Sequence, residues 1–358
     1  MKCVEIVATT GFEGLRVAER PTPKPGPRQV LVRMHAASFN WRDMMILKGG
    51  YVRGVALPRI PLSDGAGEIV ECGADVTRVK PGDKVCSTFF QTWMNGPVFA
   101  EAQDAALGGT AEGVLSEYVV LDGDGVIKFP EHLSYEEAAT LPCAALTAWH
   151  GLFEATNLRA GDTALMLGTG GVSVFGLQLA RAAGANAIIT SSSDEKLERA
   201  KALGATCTIN YNKNTKWCET VREMTGGRGA DATLDVIGGE TSKMALESLR
   251  VGGHAAIIGA RSGVAGDLDR RYVLQKGLRV TGINIGSRAM FESMNRAIAA
   301  AKLKPAVDKT YPIDDAIAAY KDFATGRHFG KVVVKIYGRG VEVIVAVRVT
   351  ERFEVGGG

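Results

Sequence analysis

The hydrophobic pattern of the chain changes period along its length, and the changes divide it. Up to about residue 130, apolar and polar positions alternate in short runs such as Val30 to Met34. Pro25-Gly26-Pro27, Pro81-Gly82-Asp83 and the glycine-rich Gly65-Ala66-Gly67-Glu68-Ile69-Val70 punctuate these runs, as expected of short strands joined by tight turns. From about 131 to 287 short apolar runs alternate with stretches of helical spacing. Strands are predicted at 164–167, 187–190, 206–210, 232–236, 254–259 and 279–284, a rhythm that predicts an α/β doubly wound parallel sheet. From 288 to 336 the pattern predicts helices at 290–301 and 313–325 and a closing strand at 331–336. Residues 337–358 alternate Val-Glu-Val-Ile-Val-Ala-Val-Arg-Val and end in three glycines. That tail reads equally as a strand for an exposed sheet edge, a device for assembly, or an extension with little function. No internal repeat is visible.

The connection between the first two strands of the middle region is the most specific in the chain. Gly168, Gly170 and Gly171 let the backbone turn tightly and approach a ligand with no Cβ in the way. Val172, Phe175, Leu179 and Ala183 then recur at helical spacing, so the turn opens into a helix N-terminus whose free amides and dipole favour a pyrophosphate. Gly168, Thr169, Gly170, Gly171, Val172 and Ser173 are therefore candidate dinucleotide-binding residues. Ser173 stands where the usual spacing has its third glycine, and is small enough to keep helix and strand close.

The next strand ends about 20 residues beyond the first glycine, where ribose recognition is expected. No carboxylate stands at its tip. Thr190-Ser191-Ser192-Ser193 does, with Lys196 just after. An acid there would bind a ribose 2′-hydroxyl and repel a 2′-phosphate, whereas hydroxyls and a cation do the reverse, which favours NADP(H) over NAD(H). The same serines also suit capping of the helix that begins at Asp194-Glu195.

Composition narrows the class. At 358 residues the chain has room for two domains, and 46% hydrophobic residues with 44 glycines suit a glycine-rich α/β enzyme. A net charge of +3 gives no reason to expect nucleic acid or an anionic membrane as partner. There is no run of eighteen apolar residues and no leader-like N-terminus, so the expected compartment is the cytoplasm. The six cysteines, Cys3, Cys72, Cys86, Cys143, Cys207 and Cys218, contain no CxxC pair and imply neither a disulfide framework nor a cysteine-rich zinc knot.

Six segments in order, VLVRMHAASFNWRDM, GAGEIVECGADVTRVKPGDKV, LPCAALTAWHGL, GTGGVSVFGLQLARAAGA, GADATLDVIGG and GKVVVKI, resemble the medium-chain dehydrogenases/reductases, and among them the zinc-free quinone oxidoreductase group. The resemblance covers residues 1 to about 336. It implies a GroES-like β-rich catalytic domain at 1–130, completed by 288–336, with a Rossmann NADP-binding domain at 131–287 between them and the cofactor in the cleft. It further implies that Lys196 and Tyr211, fifteen residues apart, flank the adenosine 2′-phosphate. Ser191 and Ser192 belong to the same subsite. Backbone groups of Ile237, Ile258, Gly259 and Asn284 would hold the nicotinamide carboxamide, although Gly238-Gly239 equally suits a plain turn into a helix. A homodimer or homotetramer is the oligomer the resemblance implies.

Zinc-dependent members place a Cys, a His and a later Cys or Asp on a catalytic metal; the corresponding positions here are Asn40, Ser63 and Cys143. Two of three donors are poor ligands, and residues 90–113 contain no cysteine for a structural zinc. Hydride transfer without a Lewis acid is easiest to substrates that delocalise the incoming charge, such as quinones and α,β-unsaturated carbonyls. The resemblance puts Asn40 and Tyr51 at the nicotinamide pocket as oxygen-binding donors, with Asp43 positioning them and Met45 where some relatives carry a second Tyr. Tyr51 equally suits closure of the loop after Gly49-Gly50. Pocket shape would be set by Leu47, Tyr51, Phe89, Phe90, Trp93 and the region from Arg261 to Asp267. An NADP(H)-dependent alcohol dehydrogenase or ketone reductase, and outside the enzymes an NADPH-binding sensor or structural protein, are the competing readings.

Overall fold

The computed structural model describes residues 1–51, 56–259 and 268–336. The expectations for Arg261 to Asp267 and for the 337–358 tail lie outside the described residues.

Two large sheets organise the chain, beside a small antiparallel pair, Lys2–Ile6 with Leu15–Glu19. The middle region forms six strands in the spatial order Cys207–Asn210, Asn186–Ser191, Thr163–Met166, Ala230–Asp235, Leu249–Ile257 and Arg279–Gly282. Every pairing is parallel. Numbered by sequence the order is 3-2-1-4-5-6, so it reverses beside Thr163–Met166, and the glycine turn leaves that strand at the switch point where such sheets bind their ligands. The central strands are apolar on both faces because helices cover both, as with Ala164, Leu165 and Met166. The expected strand at 254–259 in fact begins at Leu249, with an irregular step of register opposite Ala230 and Ala232.

The other sheet is built from distant pieces. Gln29–Ser38 is its centre, flanked by Asp64–Cys72 and the closing strand Lys331–Lys335, with Lys84–Ser87, Val126–Lys128, Tyr118–Asp122 and Val307–Pro312 added around them. The helix Arg288–Ala301, capped by the Ser287 hydroxyl, buries Phe291, Met294 and Ile298 in the hydrophobic cluster that also holds Ala164, Met166 and Leu234 of the parallel sheet. The predicted helix at 313–325 starts as a tight 3₁₀ turn, Ile313–Asp315, and becomes α-helical over Ala316–Ala324.

A helical run joins the two halves. Leu141–Ala145 and His150–Ala155 are wound as π-helix around the α-turn Leu146–Trp149, and Leu141, Ala144, Ala145, Ala148 and Leu152 are buried. This run shares one continuous core with Ala36, Ala66 and Cys86 of the first sheet and Ala164 and Ala256 of the second. Widened turns of this kind recur near functional sites. Among the described residues no helix is long and apolar enough to cross a membrane.

Candidate active site

At the glycine turn each small residue has its own reason. Gly168 takes φ 77°, a left-handed conformation that favours glycine, and its amide donates to the Thr190 hydroxyl at 3.1 Å, tying the turn to the neighbouring strand tip. A Cβ added at Gly170 would meet nothing within 4 Å, so this glycine faces open space. The helix Gly171–Ala182 follows, and its first-turn amides, those of Gly171, Val172 and Ser173, have no partner within the helix. The Ser173 hydroxyl is buried and donates to the Leu167 carbonyl at 2.7 Å. Ser173 therefore locks helix to strand and turns no side-chain oxygen outward. A Cβ at Gly171 would lie 2.7 Å from Cδ of Lys331, so this glycine makes room for a lysine stem. An open cradle at a helix N-terminus fits a dinucleotide pyrophosphate.

Across the next strand tip the capping and binding readings separate by residue. Ser193 is the cap, accepting from the Lys196 amide at 3.4 Å, while the buried Ser191 hydroxyl accepts from the Ser193 amide at 3.2 Å. Ser192 is exposed. The Lys196 ammonium donates to the Gly326 carbonyl at 3.2 Å, and the Tyr211 amide donates to the Ser191 carbonyl at 3.1 Å with its ring half-exposed. Ser191, Ser192 and Tyr211 thus gather at one tip with Lys196 on the helix behind it.

At the far strand ends, the Asp235 carboxylate accepts the Ile237 and Gly238 amides, each at 3.0 Å, and the Asp235 carbonyl accepts those of Ile258 and Gly259 at 2.8 and 3.2 Å. The amides of Ile237, Ile258 and Gly259 are spent inside the protein, which leaves their carbonyls for a ligand's N–H groups. Beside the half-buried Asn284, Ile285 is held at φ 50°, an uncommon conformation for a β-branched residue, and its carbonyl lies 2.9 Å from Nδ1 of His150. A carbonyl can only accept, so Nδ1 carries the proton. Burial pulls the His150 pKa down and keeps the ring neutral.

The catalytic end gathers around Asn40, the N-cap of the helix Trp41–Leu47. Asp43 closes its capping box, its Oδ2 accepting the Asn40 amide at 2.8 Å. Asp43 is fully buried, its other oxygen is unpartnered, and burial pushes its carboxyl up to about 6. It orients Asn40 through the backbone. Asp64 is also fully buried; it accepts the Ser63 hydroxyl at 2.7 Å and the Cys143 amide at 3.0 Å. Burial raises the Asp64 pKa, and the Lys331 ammonium, 3.7 Å from Oδ2, opposes that rise. Lys331 itself donates to the Phe39 carbonyl at 2.6 Å and to Oδ1 of Asn40 at 2.7 Å. Tyr51 is half-exposed, its ring 5.2 Å from the buried Arg42 guanidinium, which also lies 4.4 Å from the Phe89 ring. Its hydroxyl bonds to no described residue. Phe89, Phe90, Trp93 and Cys143 form one apolar cluster, with Ile285 packed against it.

Sequence reasoning did not find Lys331, Asp64 or His150 as parts of the site. Asp64 stands next to Ser63, and Lys331 is the second residue of the segment GKVVVKI, but nothing local says that a lysine 291 residues away will meet Asn40.

Comparisons with known proteins give the family of the chain. Residues 26–131 match the alcohol dehydrogenase GroES-like domain and residues 171–300 the zinc-binding dehydrogenase domain. A zinc-type alcohol dehydrogenase-like protein of Schizosaccharomyces pombe is 43% identical over 91% of this chain and 96% of its own. A quinone oxidoreductase of Pseudomonas aeruginosa is 29% identical over 93% and 99%. The chain belongs to the medium-chain dehydrogenases/reductases, in their quinone-oxidoreductase-like group. A solved structure, that of an NAD-dependent alcohol dehydrogenase, superimposes with a TM-score of 0.86 at 35% identity, covering 94% of this chain and 100% of that one.

Two of these names carry zinc, and the residues here do not fit it. A catalytic zinc in this family needs three donors such as thiolate, imidazole or carboxylate. Asn40 turns its oxygen to an ammonium and Ser63 gives its proton to Asp64, so two of the three positions offer only a neutral amide and a hydroxyl. Lys331 brings a cation of the protein's own to this cluster. Among the described residues, no group of three His, Cys, Asp or Glu is placed to hold a metal ion.

Proposed function

We propose that this medium-chain dehydrogenase/reductase is a zinc-independent oxidoreductase that uses NADPH to reduce quinones or α,β-unsaturated carbonyls. The observation that carries the reading is the replacement of metal donors at Asn40 and Ser63 by a neutral amide and hydroxyl, locked around the Lys331–Asp64 pair. Such a site offers hydrogen bonds to a developing oxyanion and no Lewis acid, which suits substrates that spread the incoming charge over a conjugated system.

When bound, the nicotinamide supplies the hydride. Gly168, Thr169, Gly170 and the amides of Gly171, Val172 and Ser173 cradle the pyrophosphate, and the carbonyls of Ile237, Ile258 and Gly259, with Asn284, face the carboxamide. Ser191, Ser192, Lys196 and Tyr211 receive the 2′-phosphate, the ammonium exchanging the Gly326 carbonyl for a dianion. Reduction of the electron-poor carbon would place the displaced electron pair, and so negative charge, on the substrate oxygen. Asn40 Nδ2–H and the Tyr51 hydroxyl hold that oxygen, and the proton comes from Tyr51 or solvent. Asp43 keeps Asn40 in place.

A solved relative at 35% identity is NAD-dependent, so the cofactor choice rests on the acid-free strand tip of this chain. The test is turnover of a quinone and a small enal with NADPH and with NADH, beside a panel of simple alcohols with and without chelator. Quinone or enal reduction that prefers NADPH and ignores chelator supports the proposal. Chelator-sensitive alcohol oxidation overturns it in favour of an alcohol dehydrogenase, and tight NADPH binding with no turnover overturns it in favour of a sensor.

A further inference from the structure

The Lys331 side chain connects the two ends of the cleft. Its strand begins at the glycine turn, where the Gly330 amide donates to the Thr169 carbonyl at 3.0 Å. Its stem runs against Gly171, where a Cβ would come within 2.7 Å. Its ammonium is almost fully buried and ends on the Phe39 carbonyl, on Oδ1 of Asn40 and 3.7 Å from Asp64. An ammonium has three protons to give and no lone pair, so the Asn40 atom against it must be the oxygen. The carboxamide is therefore oriented by chemistry: Nδ2 faces the other way, toward Ser63 Oγ at a long 3.5 Å. Ser63 spends its own proton on Asp64, which leaves a lone pair for Nδ2. The Asn40 NH₂ group is thereby directed at Ser63 and at the carboxylate of Asp64, whose charged form it helps to hold.

We infer that Lys331 is a positioning residue: by holding Oδ1 it presents Asn40 to the cleft as an obligate hydrogen-bond donor. Without it the carboxamide can turn over and offer an acceptor to an oxygen that needs a donor. Asp64 serves the same end, balancing the ammonium and drawing the Ser63 proton away from Nδ2. The inference rests on the reading above that Asn40 faces the substrate oxygen. It adds that the donor's polarity is set from the last strand of the fold.

The test compares wild type with Lys331→Met, Asn40→Asp, the double variant of these two, and the charge-balanced pair Asp64→Asn with Lys331→Met, measuring kcat, KM for the quinone or enal, and Kd for NADPH by nucleotide fluorescence. Asn40→Asp keeps an oxygen for the ammonium but has no N–H. Lys331→Met and Asn40→Asp are each expected to lower kcat on the order of 100-fold, the cost of a misdirected group at the reacting centre. The Kd for NADPH should change less than about threefold, because no cofactor contact is removed. The double variant should be no worse than Asn40→Asp alone within about twofold, since the two act as one unit. The charge-balanced pair should lose as much as Lys331→Met, which separates the effect from an unpaired Asp64 and stands in for Lys331→Met if that variant does not fold. Multiplicative losses in the double variant, or a loss confined to NADPH affinity, overturn the inference.

A second readout needs no turnover. The Asn40 side-chain NH₂ resonances, identified by their disappearance in Asn40→Asp, should be a resolved pair in wild type and shift or average in the charge-balanced pair. Unchanged resonances overturn the role of Lys331. A wild type that reduces neither quinone nor enal overturns the proposed function, and these resonances then decide the inference by themselves.

Discussion

The two ends of this cleft are made from different materials. At the cofactor end, six consecutive residues from Gly168 to Ser173 build a turn whose useful groups are backbone amides and empty space. At the catalytic end, Asn40, Ser63, Asp64, Cys143 and Lys331 come from four separated stretches, and the side chains of Asn40, Ser63, Asp64 and Lys331, all buried and polar, meet in direct hydrogen bonds or ion pairs. A backbone device depends on local conformation and tolerates change around it, whereas a buried network is only as stable as its least satisfied member. The first should therefore fail locally and mildly, the second globally.

The strongest way to break that contrast is Asp64→Ala. It strands the Lys331 ammonium in the interior and leaves the Cys143 amide and Ser63 hydroxyl without their acceptor. Removing one partner of a buried pair costs about 3–5 kcal/mol, so denaturant unfolding should show a loss of that size. A loss below about 1 kcal/mol would mean that the network is dispensable for folding and the comparison false.

Next in size is a pH effect at Asp43. Its folded pKa of about 6 lies above the ordinary 3.8, so between those values the folded state holds a proton that the unfolded chain has released. The sign follows from linkage: Asp43 disfavours folding least below about pH 4, and its cost grows as pH rises through about 6. Two pKa units correspond to roughly 2–3 kcal/mol. Asp43→Asn keeps an acceptor for the Asn40 amide and cannot ionise. Relative to that variant, wild type should lose roughly 2 kcal/mol of unfolding free energy between pH 4 and pH 7. A difference that stays flat across the range would show that Asp43 does not titrate in a buried state.

How much of each end could be read beforehand follows from the same contrast. The glycine turn, its helix and the acid-free strand tip are contiguous, so period and spacing place them within a few residues. Ser173 could be read as a packing residue because its position between strand and helix allows little else. Asn40 and Ser63 were found through a family resemblance, as places where donors were missing. What filled the gap was hidden: Lys331 reads as the first residue of an apolar strand, where a lysine ordinarily points to solvent. Pairing of Lys331–Lys335 with Gln29–Ser38 brings it inside, and pairing over such a separation leaves no trace in local pattern. The Ile285 distortion was equally silent, since nothing in Asn-Ile-Gly announces a left-handed isoleucine.

Lys196 tests the cofactor end alone. Its ammonium sits on the Gly326 carbonyl and has only to change partners to meet a 2′-phosphate. Lys196→Ala should weaken NADPH about tenfold, roughly 1.4 kcal/mol, while leaving NADH affinity and folding stability unchanged. Titration of both nucleotides checks it; equal weakening of both would move Lys196 from the 2′-phosphate to a general structural role.

The finest division runs between two adjacent glycines. An alanine methyl at Gly170 would enter open space at φ −78°, an ordinary backbone value, whereas one at Gly171 would press on the Lys331 stem and, at 3.1 Å, on Ala144. Gly170→Ala should leave the unliganded protein as stable as wild type within about 0.5 kcal/mol and weaken either nucleotide, because the methyl occupies the pyrophosphate cradle. Gly171→Ala should instead cost about 1 kcal/mol in the absence of cofactor, the penalty of overpacking around a buried lysine that three partners hold in place. If both variants were equally stable and equally impaired in nucleotide binding, the turn would be one backbone device throughout. If they divide as expected, the boundary between the two materials of the cleft falls between consecutive residues of a single glycine motif.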